Sequence, residues 1–328
     1  MIPESEASAM KDRRVLITGG LGFIGAHLAR QLLDEGDEVV LLDQADFSGS
    51  PAYCLGIRPG KNCEVVLGSA ADGRTYRSIT GAVSHIVHGA GILGVNQVLR
   101  QPSRTMMANI EMTRKCVDFA TSLDSVRQMV FLSTSEIYGP QAEDAEEGWP
   151  AIVFPDSLRW SYAASKLVGE LLILEAAIEY KMSTVRVRPF NVYGRWRLGE
   201  NAVTNMVRAA VRGEPIYING NGTQIRGWCH VSDIVRGLVA CLDYVGGDDS
   251  VFNIGDDKSV LSVTQLAQLI VEIADSNSQL VYVDTEVPDV KTRVPNLTNA
   301  RTAIKYQPTV DLRDGLTEVI EWARQTFV

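Results

Sequence analysis

The sequence predicts an α/β protein with a Rossmann-type, doubly wound parallel sheet and a smaller C-terminal α/β domain that we expect to hold the substrate. Short apolar runs rich in β-branched residues alternate with longer stretches of helical spacing, and a glycine-rich turn joins the first run to the first helix. Strands that alternate with helices indicate a parallel sheet. Ligands of such sheets bind at the carboxyl ends of the strands.

The elements follow from this alternation. In the first part of the chain, runs such as R-V-L-I-T and E-V-V-L-L-D predict strands, and apolar side chains at helical spacing predict helices. The strands are predicted at 14–18, 38–43, 64–68, 85–88, 128–133 and 184–188, and the helices at 24–35, 104–121 and 161–180. Beyond Pro189 the sequence is rich in glycine, and we predict strands at 251–254 and 280–283 and helices at 262–274 and 312–327.

Composition restricts the class of protein. The chain has 328 residues, of which 45% are hydrophobic and 22% charged, as is typical of a globular protein. A net charge of -9 argues against general binding to nucleic acid or to an anionic membrane. The five cysteines include no C-x-x-C pair, so neither a zinc site nor a disulfide framework is indicated, and we expect a cytoplasmic protein. Residues 1–12 are expected to form a flexible tail.

The turn after the first strand has the pattern of a dinucleotide-binding turn. Gly19, Gly22 and Gly25 are spaced three apart, and glycine allows both the tight turn and a close approach of pyrophosphate to the backbone. The following helix would offer its N-terminal amides to the phosphates. Asp43 ends the second predicted strand, where a carboxylate hydrogen-bonds ribose hydroxyls and repels a 2′-phosphate. With Gln44 next rather than arginine, the sequence favours NAD over NADP as cofactor.

A Y-x-x-x-K pentad supplies the candidate chemistry. Tyr162 and Lys166 are four residues apart, so a helix would place both on one face. A phenol with its ordinary pKa of about 10 is a weak acid or base at neutral pH, and a fixed cation nearby favours phenolate. Tyr162 could then exchange a proton with a hydroxyl group as a hydride is transferred. Thr134, 28 residues earlier, ends a predicted strand.

Together these motifs resemble the extended short-chain dehydrogenase/reductase family that modifies nucleotide sugars. The resemblance covers residues 13–327, and it is carried by T-G-G-L-G-F-I-G at 18–25, H-G-A-G at 88–91, S-T-S-E-I-Y-G at 133–139, Y-A-A-S-K at 162–166, R-P-F-N-V-Y-G at 188–194 and G-N-G-T-Q-I-R-G-W-C-H-V-S-D at 220–233. It implies a mainly NAD-binding domain at 13–189 and a mainly substrate-binding domain at 190–328, with some interleaving.

The resemblance also implies roles for individual residues. NAD would oxidise the sugar C4 hydroxyl, with Tyr162 as acid/base, Lys166 lowering the pKa of that tyrosine and Thr134 bonded to the C4 oxygen. The expected cofactor contacts are Gly19, Gly22, Phe23, Ile24, Gly25, Asp43, His88, Ala90, Tyr162, Lys166 and Pro189, and the expected substrate contacts are Asn191, Arg195, Arg226 and Arg293. A purely structural histidine is the alternative for His88, and no metal site is expected. Adenine contacts near Ser69 and Asp72 stay open.

The motifs indicate less clearly which reaction follows once the 4-keto sugar has formed. Glu136 follows Thr134 by two residues, and in an extended segment both side chains would lie on one side. A glutamate here, and Arg159-Trp160 before the tyrosine, resemble UDP-glucuronate decarboxylases. The loop with Asn201 lacks an arginine of those enzymes and looks like an epimerase. Arg195 and Arg197 lie nearby and are candidates for the missing cation at a C6 carboxylate, with exposed loop arginines as the alternative. Decarboxylation of UDP-glucuronate is therefore the first hypothesis; the alternatives are a 4-epimerase, a 4,6-dehydratase acting on a UDP- or dTDP-sugar, and a non-catalytic NAD-sensing protein.

Two further expectations concern assembly and a loop. Family resemblance implies a homodimer that pairs the helices predicted at 104–121 and 161–180. The acidic stretch 143–147 is interpreted as a solvated loop rather than as a lid over the substrate.

Overall fold

A computed structural model describes residues 13–199, 201–247, 249–284 and 290–328 of the chain. The tail predicted at residues 1–12 lies outside the described residues. The helices are α1 (Phe23–Asp34), α2 (Pro51–Cys54), α3 (Gly73–Tyr76), α4 (Val95–Arg100), α5 (Pro102–Thr121), α6 (Ser161–Tyr180), α7 (Ala202–Arg212), α8 (Val231–Leu242), α9 (Val263–Ile273), α10 (Thr298–Ala303) and α11 (Leu312–Phe327).

The strands are β1 (Arg14–Thr18), β2 (Glu38–Asp43), β3 (Cys63–Leu67), β4 (His85–His88), β5 (Gln128–Leu132), β6 (Gln141–Ala145), β7 (Thr184–Pro189), β8 (Val192–Tyr193), β9 (Ile216–Asn219), β10 (Ile225–Gly227), β11 (Cys229–His230), β12 (Asp249–Ile254), β13 (Val260–Ser262), β14 (Leu280–Val283) and β15 (Thr292–Pro295). The predicted strand and helix boundaries agree with these within a few residues.

Seven parallel strands form the main sheet, in the order β12-β7-β5-β4-β1-β2-β3. The order reverses direction at β1, where the chain moves first toward β3 and then across to β4. Its central strands are buried on both faces, which explains their continuous apolar sequences. The predicted fold class is confirmed. Strand β12 comes from beyond residue 189 and completes the sheet beside β7, and the domain boundary at that residue stays a prediction.

The remainder of the chain packs around a second apolar core. Helices α7, α9 and α11 contribute buried side chains such as Val207, Leu266 and Leu316 to this core. A separate four-stranded sheet has the order β13-β10-β15-β6. It brings together strands that are distant in sequence.

The acidic stretch at 143–147 is largely strand rather than the loop that we expected, although Glu143, Asp144 and Glu146 are exposed. Residues 141–145 form strand β6, which pairs in parallel with β15 and buries Ala142 and Ala145. Glu147 turns inward, and its Oε1 accepts a hydrogen bond of 2.8 Å from the backbone amide of Asn253. The acidic composition suggested exposure, but the pairing partner lies far along the chain and gives no local signal.

The described residues show neither a membrane-spanning helix nor a metal-binding cluster. Among them, no helix combines the length and the apolar character that crossing a bilayer requires. The same residues contain no group of three or more histidine, cysteine or acidic side chains arranged to hold a metal ion. All five cysteines are free thiols, and four of them are buried.

Candidate active site

A cavity of about 750 Å³ lies at the carboxyl ends of the central parallel strands. The last residues of β1, β2, β4, β5 and β7, or those just after them, contribute to its wall. Its lining includes most of the residues proposed from the sequence: Gly19, Gly22, Phe23, Ile24, Gly25, Asp43, Ala90, Thr134, Glu136, Tyr162, Lys166, Pro189, Asn191 and Arg293. The position agrees with the general rule for ligand sites in parallel sheets.

The glycine turn at one end of the cavity has no room for side chains. Gly19 has a φ of +73°, and a Cβ there would lie 2.9 Å from the amide nitrogen of Ala90. A Cβ on Gly25 would lie 2.3 Å from the carbonyl oxygen of Gly19, a backbone atom that cannot move aside. Gly22 precedes α1 and gives it no side-chain cap. The first amides of α1 are therefore available to an anion in the cavity, which fits a dinucleotide pyrophosphate.

Asp43 lies at the end of β2, beside this turn. Its Oδ2 accepts a hydrogen bond of 3.2 Å from the amide of Leu21, and its Oδ1 accepts one of 3.0 Å from the amide of Ala45. These bonds hold the carboxylate in place while it lines the cavity. Ribose hydroxyls fit this acceptor well. Asp72 is instead engaged by Arg74 in an ion pair of 2.7 Å, and Ala70 lines the cavity near the place considered for adenine.

His88 does not reach the cavity with its side chain. It is fully buried, its Nδ1 is 2.6 Å from the hydroxyl of Thr18, and its Nε2 is 3.2 Å from the hydroxyl of Thr113. Burial, together with the smaller effect of the charge of Lys166, lowers the pKa of His88 to about 3. The imidazole is therefore neutral, and it ties β4 to β1 and α5. The sequence suggested cofactor contact, but the structural alternative describes this side chain.

Thr134 and Glu136 reach the cavity through a backbone shape that we did not predict. The segment is not extended: residues Ser135–Tyr138 form a single 3₁₀ turn after β5. Thr134 caps this turn, because its Oγ1 accepts a hydrogen bond of 3.2 Å from the amide of Glu136. The alternation argument was therefore wrong, although both side chains line the same cavity.

Tyr162 and Lys166 lie in the first turns of α6, as the pentad predicts. The ammonium of Lys166 is buried and donates a hydrogen bond of 2.7 Å to the carbonyl oxygen of Leu132. Burial lowers the pKa of Lys166 to about 8, and the nearby carboxylate of Glu170 raises it.

The environment of the tyrosine differs from the expectation. Burial raises the pKa of Tyr162, and the negative charge of Glu136 raises it further. The hydroxyl of Thr134 and the charges of Arg197 and Arg293 act in the opposite direction. The net pKa of the phenol is thus above its ordinary value in the protein alone, and the cations that oppose this shift are arginines of the C-terminal half.

Glu136 lies between two buried arginines. Its Oε1 is 3.5 Å from Nη1 of Arg293, and its Oε2 is 3.6 Å from Nη1 of Arg159. Arg159 comes from the segment just before α6, and Arg293 from β15. Arg293 lines the cavity and is paired in register with Arg226 of the neighbouring strand β10. Arginine donors therefore stand at the reacting end of the cavity.

Of the remaining residues predicted to contact the substrate, Asn191 belongs to the lining of the cavity, whereas Arg226 and Arg195 do not. Asn191 lines the cavity, and its Nδ2 lies 3.4 Å from the carbonyl oxygen of Gly227. Arg226 is buried, and its Nη1 donates a hydrogen bond of 2.9 Å to the carbonyl oxygen of Ile225. Arg195 points away from the cavity, and its Nε lies 3.0 Å from the carboxylate of Glu318. Of the two loop arginines considered for the substrate, Arg197 lines the cavity and Arg195 does not.

Asn201, which suggested an epimerase, caps a helix. Asn201 precedes α7, and its Oδ1 accepts a hydrogen bond of 3.0 Å from the amide of Thr204. Its amide group also donates to the hydroxyl of Thr204 at 2.9 Å. Asn201 is thus a helix cap outside the cavity wall, and its identity carries little weight for the reaction.

Comparisons with known proteins agree with this geometry. Residues 15–255 match the family described as the NAD dependent epimerase/dehydratase family. The chain is 32% identical to UDP-N-acetyl-alpha-D-glucosaminuronate decarboxylase of Bacillus cytotoxicus, over 95% of this chain and 98% of that protein. It is 28% identical to UDP-glucuronic acid decarboxylase 1 of Arabidopsis thaliana, over 94% of this chain and 69% of that protein.

Among solved structures, the chain is similar to UDP-glucose 4-epimerase of Thermotoga maritima in complex with UDP-glucose. The TM-score is 0.86 at 26% identity, over 95% of this chain and 99% of the epimerase. Decarboxylases are thus found by sequence and a 4-epimerase by structure.

Proposed function

The chain belongs to the NAD dependent epimerase/dehydratase family, and we propose that it is an NAD-dependent decarboxylase of a UDP-hexuronate. UDP-glucuronate is the first candidate substrate, with UDP-4-keto-pentose or UDP-xylose as product. The first relative suggests a second candidate, in which the hexuronate carries an N-acetyl group.

The observation that supports this proposal is the position of Glu136 between Arg159 and Arg293, beside Thr134 and Tyr162. The two arginines are 7% and 6% exposed, and buried arginines are retained where they bind anionic groups. Arg293 lines the cavity, and a planar guanidinium suits a carboxylate because it can donate two parallel hydrogen bonds. A hexuronate brings such a carboxylate at C6, next to the carbons that react.

The proposed steps assign one task to each residue. Tyr162 takes the proton of the C4 hydroxyl, and Thr134 donates a hydrogen bond to the C4 oxygen. Bound NAD would supply the acceptor for the C4 hydride; the hydride would be returned to C4 if the product is UDP-xylose and would leave as NADH if the product is UDP-4-keto-pentose. In the 4-keto sugar the C5–C6 bond then breaks, its electron pair moves into the enolate of C4 and C5, and carbon dioxide leaves.

The protein must then restore a proton at C5. Arg293 holds the departing carboxylate in the orientation that favours bond cleavage, and Thr134 stabilises the negative oxygen at C4. Glu136 orients Arg293, and it would relay to C5 a proton taken from water, so that the enolate becomes the 4-ketone of the pentose. Lys166 contributes through its charge and its fixed position on α6.

The test is a substrate screen with product identification. Purified protein with NAD is incubated with UDP-glucuronate, UDP-N-acetylglucosaminuronate, UDP-glucose and dTDP-glucose, and products are identified by mass and NMR. We expect carbon dioxide and a UDP-pentose product from a hexuronate. In the E136Q variant this turnover should fall by about 10²- to 10⁴-fold while NAD binding is retained. The matched control is E143Q on the exposed face of β6, which should react normally.

A 4-epimerase is the second candidate, because the backbone closely follows that of a UDP-glucose 4-epimerase. C4 inversion of a hexose, with no turnover of either hexuronate, would replace the decarboxylase proposal by this one. Both reactions share the first oxidation, so Tyr162 and Thr134 keep their proposed tasks in either case.

We also propose a cytoplasmic homodimer. The five free thiols support a reducing compartment. Helices α5 and α6 pack against one another, and both carry exposed apolar side chains: Met107, Leu171 and Ile178 are 60%, 58% and 54% exposed. A second copy would cover this surface.

A further inference from the structure

Two arginines of the loop after β8, Arg195 and Arg197, point in different directions. Arg195 pairs with Glu318, whereas Arg197 lines the cavity. Between them, Trp196 has a φ of +63°, a conformation that is unfavourable for a bulky side chain. Its indole ring packs against Trp322, with ring centroids 5.5 Å apart. Packing on the second core therefore holds a strained residue whose conformation divides the two arginines, and such strain often accompanies a functional site.

Arg197 carries a charge that the described protein leaves without a counterion. Its Nη1 donates a hydrogen bond of 3.0 Å to the carbonyl oxygen of Val192, and its Cζ lies 5.2 Å from the ring centroid of Phe23. Within residues 13–199, 201–247, 249–284 and 290–328, no carboxylate lies within ion-pair distance of it. Burial lowers the pKa of Arg197, which reflects the cost of holding a charge away from water. A partly buried arginine in a cavity wall, with no carboxylate of the described residues beside it, is suited to bind an anionic ligand.

The neighbours of Arg197 indicate which anion fits. Phe23 is the first residue of α1, the helix whose uncapped N-terminus faces the cavity. Leu198 and Gly199, which follow Arg197, also line the cavity. The loop thus lies against the dinucleotide turn. Arg197 is also close enough to Tyr162 for its charge to lower the pKa of that phenol, so the guanidinium stands between the turn and the catalytic helix.

We infer that Arg197 binds the pyrophosphate of the dinucleotide from the side opposite the glycine turn, so that the loop clasps the cofactor. The helix N-terminus and the guanidinium would then share the phosphate oxygens. This inference rests on the proposed use of NAD, and it adds a residue that the glycine turn and Asp43 do not account for.

The test measures binding without turnover. The affinities of NAD and of UDP are determined separately by calorimetry for the wild-type protein and for R197Q, R197K and R195Q. Loss of one charge-assisted contact should weaken NAD binding about ten- to a hundredfold in R197Q, with UDP binding changed less than about twofold. R197K, which keeps the charge but not the fork, should lie between wild type and R197Q. R195Q is the matched control from the same loop and should bind NAD normally.

Each other outcome has a distinct meaning. Weaker UDP binding with unchanged NAD binding would assign Arg197 to the phosphates of the nucleotide sugar and overturn the inference. Unchanged binding of both ligands in R197Q would also overturn it. Absence of NAD binding by the wild-type protein would instead refute the proposed function. If R197Q does not fold, as judged by its melting temperature, R197K decides, because wild-type NAD affinity in that variant would contradict recognition by the planar fork.

Discussion

The buried carboxylate of Glu170 offers a direct test of how the catalytic helix is held. Glu170 lies one turn after Lys166 on α6 and is 2% exposed. Its two oxygens accept hydrogen bonds of 2.9 and 2.7 Å from Nε and Nη2 of Arg188 on β7. Oε1 also accepts a hydrogen bond of 2.5 Å from the hydroxyl of Ser133. The carboxylate thus joins the helix of Tyr162 to the strand end that precedes Thr134.

The magnitude of the E170Q effect follows from this arrangement. Glutamine keeps the shape but replaces one acceptor oxygen by an NH₂ donor that faces other donors. Arg188 would remain buried with only neutral partners, the hydroxyl of Tyr138 at 2.8 Å and the carbonyl oxygen of Glu147 at 2.9 Å. Removing one partner of a buried ion pair costs about 3–5 kcal/mol of the free energy of unfolding. That is a large fraction of the roughly 5–15 kcal/mol typical of a protein.

The assay is denaturant unfolding followed by fluorescence, with E272Q as matched control. Glu272 pairs with Arg313 at 2.8 Å, but the two side chains are 65% and 52% exposed, so this substitution should cost less than about 1 kcal/mol. A loss in E170Q no greater than that in E272Q would refute the reasoning. It would mean that the buried pair contributes little more than an exposed one.

Two other predictions concern pH and assembly. Since burial lowers the pKa of Lys166 to about 8, its ammonium is present below that pH and is lost as pH rises through it. The rate of hydride transfer, followed by NADH absorbance, should therefore decline above about pH 8. In K166R this decline should be absent, because a guanidinium does not titrate in that range. The same decline in K166R would assign it to another group. Replacing Leu171 by Asp should convert a dimer into a species with the 35.9 kDa mass of one chain in light scattering, whereas Tyr217→Asp at another exposed position should not. A monomeric wild-type protein would contradict the dimer.

Much of the main sheet could be predicted because its signals are local. The central strands are short, largely buried runs whose apolar character appears in a few consecutive residues, as in β1 and β2. The glycine turn is equally local, since Gly19 and Gly25 must lack a Cβ for the turn to close. Asp43 and Thr134 could be placed at one edge because the carboxyl ends of parallel strands share that edge, whereas Tyr162 lies on helix α6. Their catalytic and binding roles stay predictions.

Other features depend on contacts between distant segments. Strand β6 exists because β15 pairs with it, and acidic residues alone suggest a loop. Glu136 reaches the cavity through a 3₁₀ turn capped by Thr134, a conformation that the periodicity of a strand does not reveal. The two arginines around Glu136 come from the start of α6 and from β15, so no spacing in the sequence shows that they meet.

Residues that are neighbours along the chain were enough to predict the parallel sheet, the dinucleotide turn and the Tyr162–Lys166 pair. Which loop arginine lines the cavity depends instead on the folded core. Arg195 and Arg197 are chemically alike and two residues apart, and their directions depend on how Trp196 packs against Trp322 of the last helix. A contact between elements so distant in sequence is a property of the folded core, where the direction of a side chain is set by packing.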